Sequence, residues 1–304
     1  MSTTSCLLRS SIFIIFLFSK LVLFSQFNQK MIHDEFDSTI NGSHKINEYH
    51  FDSSNEKQFL LELKKYEKEP SIAVRSRVQG FKSAIGISSK DSLIKHQIVE
   101  DFVNDFVNGE PKISQYAINR LTDYFYKKKD FTNAAKQVII DSFDRKKYSH
   151  NFLLVCGKAE IKELIPKLKI IANNLDTAKR NWYNTNAWYA SLALARIGVN
   201  DNINMLISAV EHEPDTILHI TRLLRYLAYT RQPACLVLLD KYLESSDELP
   251  NSDGMPRGLY FYQYVLGDLA KNLDNFPIAP KKVGYTKEEL EIAREYMKVM
   301  LKGN

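Results

Sequence analysis

The apolar positions of this chain fall into a stripe that is written three times. Ala187, Ala190, Leu194 and Ile197 stand at i, i+3, i+7 and i+10, and Ile217, Ile220, Leu224 and Leu227 repeat that spacing 30 positions on. Leu259, Tyr262, Leu266 and Leu269 repeat it again, 42 positions further. A period near 3.6 residues predicts amphipathic helices. One stripe recurring behind a preceding short helix predicts stacked helical hairpins. Upstream, Val74, Val78, Phe81 and Ile85 form a related stripe, and Ile118, Leu121 and Phe125 repeat its last three members with Ser114 in the first place. Ile94, Ile98, Phe102 and Phe106 mark a helix between the two. No alternation of period two announces a strand. The predicted fold is all-α, an α–α superhelix of antiparallel helix pairs.

Punctuation residues divide the pattern. Pro70 stops the helix begun by Phe59, Leu60 and Leu63, because proline lacks the donor and crowds the preceding turn. Gly157 and Gly198 read as helix terminators, since glycine takes the left-handed conformation at little cost. Asp201 and Asp215 read as N-caps. Thr286 and Glu289 have capping-box spacing ahead of Leu290, Ala293, Met297 and Met300, which predicts a last helix closing the open end of the stack. The expected order is a leader over 1–25, a polar arm over 26–56, a helical repeat domain over 57–275, and a linker with a capping helix over 276–304.

The leader changes the picture of where the chain works. Arg9 precedes the apolar run Ile12 to Phe18, Leu21 to Phe24 continue it after Lys20, and Ser25 offers a cleavage point. Its longest charge-free stretch, Ser10 to Ser19, falls far short of the ~20 residues that span a bilayer. A cleaved export signal is expected, and with it a periplasmic, envelope or secreted location. The formal charge of +5 includes Arg9 and Lys20 of that leader and is too small to imply nucleic acid by itself. A hydrophobic content of 44% and a charged content of 25% are those of an ordinary folded chain. Beyond Cys6 in the leader, Cys156 and Cys235 sit in apolar helical surroundings. A bridge needs Cα atoms within ~7 Å, and stacked repeats touch only their neighbours, so two buried thiols are expected.

Motif chemistry is sparse. No HExxH, CxxC, Walker loop or GxSxG elbow is present, so no cofactor, metal or catalytic residue is expected. His96, His150, His212 and His219 are scattered singly, as surface or satisfied core histidines. The basic runs Lys127 to Lys129 and Arg145 to Lys147 each end a helix, where cations complement the helix dipole. A phosphate-tracking groove would need such charges aligned across repeats.

One face carries a sharper possibility. Counting about 100° per residue, the side opposite the repeated stripe presents Trp188 and Arg196 on the first helix. On the second it presents Arg222, Arg225, Tyr226 and Tyr229, and on the third Tyr260, Tyr264 and Lys271. Aromatic and arginine side chains are enriched in binding hot spots, so these nine residues are candidates for a partner groove. The plainer alternative is that this face packs against the preceding helix row. Leu192 and Leu218 share it, whereas Arg222 and Arg225 resist burial.

The runs Phe152 to Ile161, Leu164 to Leu168 and Ala187 to Gly198 resemble HEAT-type (armadillo-like) repeats, and the resemblance covers about Ser71 to Leu273. The stripe spacings of 30 and 42 leave tetratricopeptide-like or irregular α–α stacks open. The resemblance implies a non-enzymatic scaffold that binds a protein or peptide along a concave face. It also admits a nucleic-acid-binding alternative, since some HEAT-like proteins are DNA glycosylases, but export would separate this chain from DNA. A helical module of a larger peptidase-like system is a third possibility.

Overall fold

The computed structural model describes residues 56–302, apart from 146–148, 180, 214, 216–217, 249–259 and 282–283. The expected leader and nearly all of the polar arm lie outside the described residues, as do Ile217 and Leu259 of the repeated stripe. Thirteen α-helices carry the described residues, and the β pairing among them is a single antiparallel bridge between Glu248 and Tyr260. The fold is all-α. Helices pack against neighbouring helices within each unit, consistent with an α–α superhelical arrangement. No described helix is long and apolar enough to cross a membrane.

The chain divides into two compact units, one ending at Arg120 and one beginning at Leu121. The helical pattern of the sequence gives no sign of this division. The first unit holds α1 (Glu56–Leu63), α2 (Ile72–Ser88), α3 (Ser92–Asn108) and most of α4 (Pro111–Thr122). Ser71 and Asp91 open α2 and α3 by accepting hydrogen bonds from the Val74 and Leu93 amides, 3.4 and 2.9 Å away. The stripe Val74, Val78, Phe81 and Ile85 is wholly buried, as are Ile94, Ile98, Phe102 and Phe106 on α3.

The second unit comprises α5 (Asn133–Ser142), α6 (His150–Lys158), α7 (Ile165–Ala172), α8 (Asn186–Ile197), α9 (Asn200–Glu211), α10 (Leu224–Thr230), α11 (Pro233–Leu243), α12 (Phe261–Asn272) and α13 (Lys287–Lys302). A π-helical turn, His219–Leu223, runs directly into α10. Helix α8 is the centre. Every residue from Ala187 to Arg196 is buried, and α6, α7, α9 and α10 all pack on it. Its sequence explains this, since Ala187, Ala190, Ser191, Ala193 and Ala195 leave room for neighbouring backbones on several sides.

Gly157 serves that packing. It lies inside α6 without a left-handed backbone, and a Cβ there would stand 2.7 Å from Ala193 Cα and 2.3 Å from Tyr229 Oη. The terminator of α6 is instead Glu160, at φ 50°. The amide of Ile161 donates to the Cys156 carbonyl and that of Glu160 to Gly157, closing the end as a left-handed cap does. Gly198, at φ 100°, ends α8 as its sequence position suggests. Asp201 lies one residue inside α9, whose N-cap is Val199, whereas Asp215 does cap its helix by accepting from the Leu218 amide at 3.0 Å. The Thr286–Glu289 capping box forms in both directions, at 2.9 and 3.2 Å. Helix α13 then buries Leu290, Ala293 and Met297 against α11 and α12. Cys156 and Cys235 are free, buried thiols, and burial pushes both above the ordinary thiol range, which makes them poor nucleophiles.

Candidate functional site

Four helices of the second unit, α6, α8, α10 and α12, and the turn from Thr122 to Lys127 enclose a cavity of about 750 Å³. That volume lies within the ~300–1,000 Å³ of ordinary ligand sites. Helical spacing explains which side chains reach it. Tyr189 and Arg196 stand seven apart on α8, and Tyr264, Gly267, Asp268 and Lys271 stand at i, i+3, i+4 and i+7 on α12. Arg225, Tyr226 and Tyr229 come from α10, and Arg231 follows at its C-cap in the left-handed conformation, φ 58°.

The lining has an unusual composition. Six cations (Lys127, Lys158, Arg196, Arg225, Arg231 and Lys271) and six tyrosines (Tyr124, Tyr126, Tyr189, Tyr226, Tyr229 and Tyr264) face two carboxylates, Asp123 and Asp268. Several tyrosines are fixed by hydrogen bonds. Tyr189 and Tyr226 share a bond between their hydroxyls at 2.7 Å, and Arg225 donates to the Tyr226 oxygen at 2.7 Å. Tyr229 donates to the Leu154 carbonyl at 2.6 Å, tying α10 to α6 beside Gly157. His150 lies flat on Tyr189, 4.1 Å between centroids, and its burial lowers its pKa.

The charged groups perturb one another. Lys158 is buried and donates to the carbonyls of Leu121 and Asp123 at 3.0 and 2.6 Å. Burial, helped by the charges of Arg196, Lys127 and Arg231, pushes its pKa down to about 7. Arg196, also buried, is lowered to about 10 by burial and by Arg231. Burial pushes the Asp268 carboxyl up to about 7, although Lys271 and Arg225 pull the other way. Asp274 beside the cavity is held below its usual range: burial would raise it, but the hydrogen bonds and charge of Arg231, and then Lys127, win. Such a cavity can hold an anion against its cations.

No known protein family, curated protein or solved structure matches this chain. Function is therefore read from the site alone.

Of the nine candidate groove residues, the cavity gathers Arg196, Arg225, Tyr226, Tyr229, Tyr264 and Lys271. Arg196, Tyr226 and Tyr229 are largely buried and reach the cavity from its walls. Trp188 is displaced from the expected groove. It is fully buried, edge-on to Trp182 and Tyr226 at 4.7 and 6.0 Å, and belongs to the core as the packing alternative holds. Arg222 is exposed and stands outside the lining. Tyr260 also stands outside it, stacked on Tyr262 at 5.6 Å beside the bridge to Glu248. The sequence reading missed Lys127, Lys158, Tyr189, Arg231 and Asp268. Helical spacing does point to Tyr189 and Asp268, since Tyr189 shares a face with Arg196 and Asp268 with Tyr264 and Lys271.

Two of the described histidines are held by hydrogen bonds within the fold. His219 Nε2 meets the Tyr242 hydroxyl at 2.7 Å and His212 Nδ1 meets the Ser208 carbonyl at 2.7 Å. Among the described residues, no cluster of His, Cys, Asp and Glu is arranged to hold a metal ion.

Proposed function

We propose that this chain is an exported helical-repeat binding protein whose second unit receives an acidic segment of a protein or peptide partner. The observation that carries the reading is the excess of cations over carboxylates in the lining of a ligand-sized cavity. Confined positive charge attracts acidic ligands and speeds their capture. The tyrosines contribute flat area with little rotamer entropy to lose, which suits an extended peptide. Arg225 and Lys271 stand on α10 and α12, where an incoming segment meets charge on both walls.

The test is fluorescence anisotropy with a fluorescein-labelled octaglutamate peptide, run beside octalysine across a salt series. Octaglutamate is expected to bind, to weaken with salt, and to be lost in Arg225→Glu. Equal binding of octalysine, or no binding of either, overturns the proposal. Displacement of octaglutamate by a single-stranded oligodeoxynucleotide at lower concentration would transfer the cavity to nucleic acid. Export is tested separately by N-terminal sequencing of the protein from its native host. A chain beginning near Gln26 outside the cytoplasm supports it, and a full-length cytosolic chain rejects it.

A further inference from the structure

We infer that the part of this cavity formed by Lys127, Lys158, Arg196 and Arg231 is a subsite for a phosphoryl dianion, so that the acidic segment it takes is a phosphorylated one. The inference rests on the peptide-binding reading above and adds the chemical group that anchors the peptide.

Hydrogen-bond accounting points there first. Arg196 is only 5% exposed, and its guanidinium reaches the Tyr229 carbonyl with one nitrogen. Its Nε has no hydrogen-bond partner, and the nearest carboxylate oxygen, on Glu160, stands 4.0 Å away. Arg231 gives its two terminal nitrogens to Asp274 at 2.5 and 3.0 Å, yet its buried Nε is also unpaired. Buried donors are almost always satisfied, and each that is not is a cost to the fold. Here two guanidinia carry one each, both in the wall of the same cavity.

Charge accounting points the same way. Asp274 is shared between Arg231 and Lys127, the latter at 3.6 Å. Glu160 is drawn toward Lys128 at 2.6 Å and only approaches Arg196. Four cations thus have three carboxylates near them: Asp274, Glu160, which also serves Lys128, and Asp123, whose charge favours protonated Lys158 but is outweighed by burial and the neighbouring cations. Burial and this crowding together hold Lys158 near neutrality, so it is poised to take up a proton when negative charge enters. Glu160 and Arg231, whose positions set the cluster, both adopt left-handed backbone at φ 50° and 58°, a conformation that non-glycine residues hold at a cost.

The alternative is that these cations merely complement helix ends. It accounts for Lys158 on the Leu121 and Asp123 carbonyls and for Lys127 on the Lys271 carbonyl at 3.3 Å. It leaves the two unpaired guanidinium nitrogens unexplained. A phosphate monoester carries about −1.5 to −2 charge at neutral pH and three strong acceptors. A carboxylate brings one charge and fewer acceptor sites, too little for both guanidinia and the lysines.

The test is isothermal titration of the full chain with Ac-Glu-Glu-pSer-Glu-Glu, the same peptide bearing Ser or Glu at the centre, and inorganic phosphate. The phosphoserine peptide is expected to bind at least about tenfold tighter than either analogue, the gain of a charge-assisted hydrogen bond or more. Near pH 7.5, its binding heat should depend on buffer ionisation in the sense of proton uptake. Arg196→Lys should remove most of the preference. Because Arg196 is buried, Arg231→Gln is the second variant, with folding checked by circular dichroism. It too should bring the preference close to one. Equal binding of all three peptides, sensitive to Arg225→Glu, overturns the phosphoryl subsite and leaves the acidic-peptide reading standing. Equal binding of inorganic phosphate and the phosphoserine peptide, with no binding of the others, keeps the subsite and overturns the peptide reading. No binding by any probe overturns both.

Discussion

Among the described residues two lysines are buried, one in each compact unit, and their surroundings differ in kind. Lys82, on α2 of the first unit, is 3% exposed and meets Glu67 at 2.5 Å and Asp101 at 2.6 Å. Burial lowers its pKa, but the charge and hydrogen bonds of Asp101, then of Glu67, more than reverse this, and its ammonium is held above the usual range. Lys158, on α6 of the second unit, is 8% exposed and donates to two carbonyls; burial, with Arg196, Lys127 and Arg231 outweighing the charge of Asp123, brings it down to about 7. A small pocket of about 260 Å³ beside Lys82 is instead balanced in charge, with Arg75 and Lys82 against Glu67 and Asp105; Arg75 pairs with Glu110 at 2.9 Å and Gln79 with Asp105 at 2.9 Å, although the Arg75 Nε is unpaired there too. A buried cation with two carboxylates is a closed structural unit. A buried cation whose neighbouring cations outweigh its one carboxylate is less complete, and that imbalance is what the proposed phosphoryl subsite builds on.

The largest expected effect tests what seats Lys158. Gly157→Ala would drive a Cβ into the Ala193 backbone and the Tyr229 hydroxyl, so α6 must move from α8 and carry Lys158 with it. The expected loss is about 3 kcal/mol by urea denaturation, the upper part of the usual range for overpacking. In the first unit Gly80→Ala would meet only the Tyr116 hydroxyl at 3.4 Å, an ordinary contact. That change should stabilise α2 by roughly 0.5–1 kcal/mol. Equal effects of the two substitutions would deny that α6 and α8 are held in unusually close contact.

The lysines themselves come next. Lys82→Met leaves Glu67 and Asp101 facing each other without a cation, but both keep some access to water. A loss of about 2 kcal/mol is expected, below that of a fully buried pair. Lys158→Met removes a desolvated cation and orphans two carbonyls, which offset each other. It should be neutral or stabilising by up to about 1 kcal/mol at pH 7. Opposite directions sharpen the contrast, and equal losses would erase it.

Titration separates the two regions further. Lys158 has a folded pKa near 7 against 10.5 when unfolded, so between those values the unfolded chain holds more protons. Its contribution therefore improves as pH rises from about 7 toward 10, and Lys158→Met should flatten that rise. Asp268 runs the other way. Its folded pKa near 7 against 3.8 means that the folded chain holds more protons between them, and its contribution falls as pH rises through that window. Asp268→Asn should stabilise by about 1–2 kcal/mol at pH 8 and by little at pH 4, followed by thermal melts at both pH values.

How much of this was legible in the sequence depended on whether local periodicity governs the feature. Most stripe positions became buried helix faces, with Leu224, Leu227, Leu266 and Leu269 in the core, whereas Ile197 and Tyr262 are half-buried and Phe125 falls in the turn past α4; the Thr286 box formed because it needs only four residues. The cavity was partly legible for the same reason. Tyr189 lies only about 20° from Arg196 around α8, while Trp188 lies about 80° away, so helical geometry favours Tyr189 over Trp188 as the cavity residue. Lys127, Lys158 and Arg231 were not legible, because they are brought together by turns and helix ends far apart in the chain. Left-handed Glu160 and Arg231 supply two of those turns where glycine would be the expected signal. The two-unit division was hidden too, since the helical pattern runs through Arg120 without a change of composition.

The smallest effects test the register. Arg222 and Arg225 are three apart, which on a regular α-helix puts them on neighbouring positions of one face. Arg222, however, lies inside the π-helical turn His219–Leu223, where each turn holds more residues and counting at 100° fails. Both side chains are exposed, but Arg225, past that turn, lines the cavity and hydrogen-bonds Tyr226, while Arg222 stands outside the lining. Arg225→Ala is expected to weaken octaglutamate binding by about five- to tenfold, as loss of one partly desolvated cation does. Arg222→Ala should change it by less than about twofold, because a solvated charge outside the cavity acts only through a screened field. Comparable losses from the two would mean that the peptide lies across the outer surface of the π turn instead of entering the cavity, and the contrast between closed and open charge clusters would then lose its functional meaning.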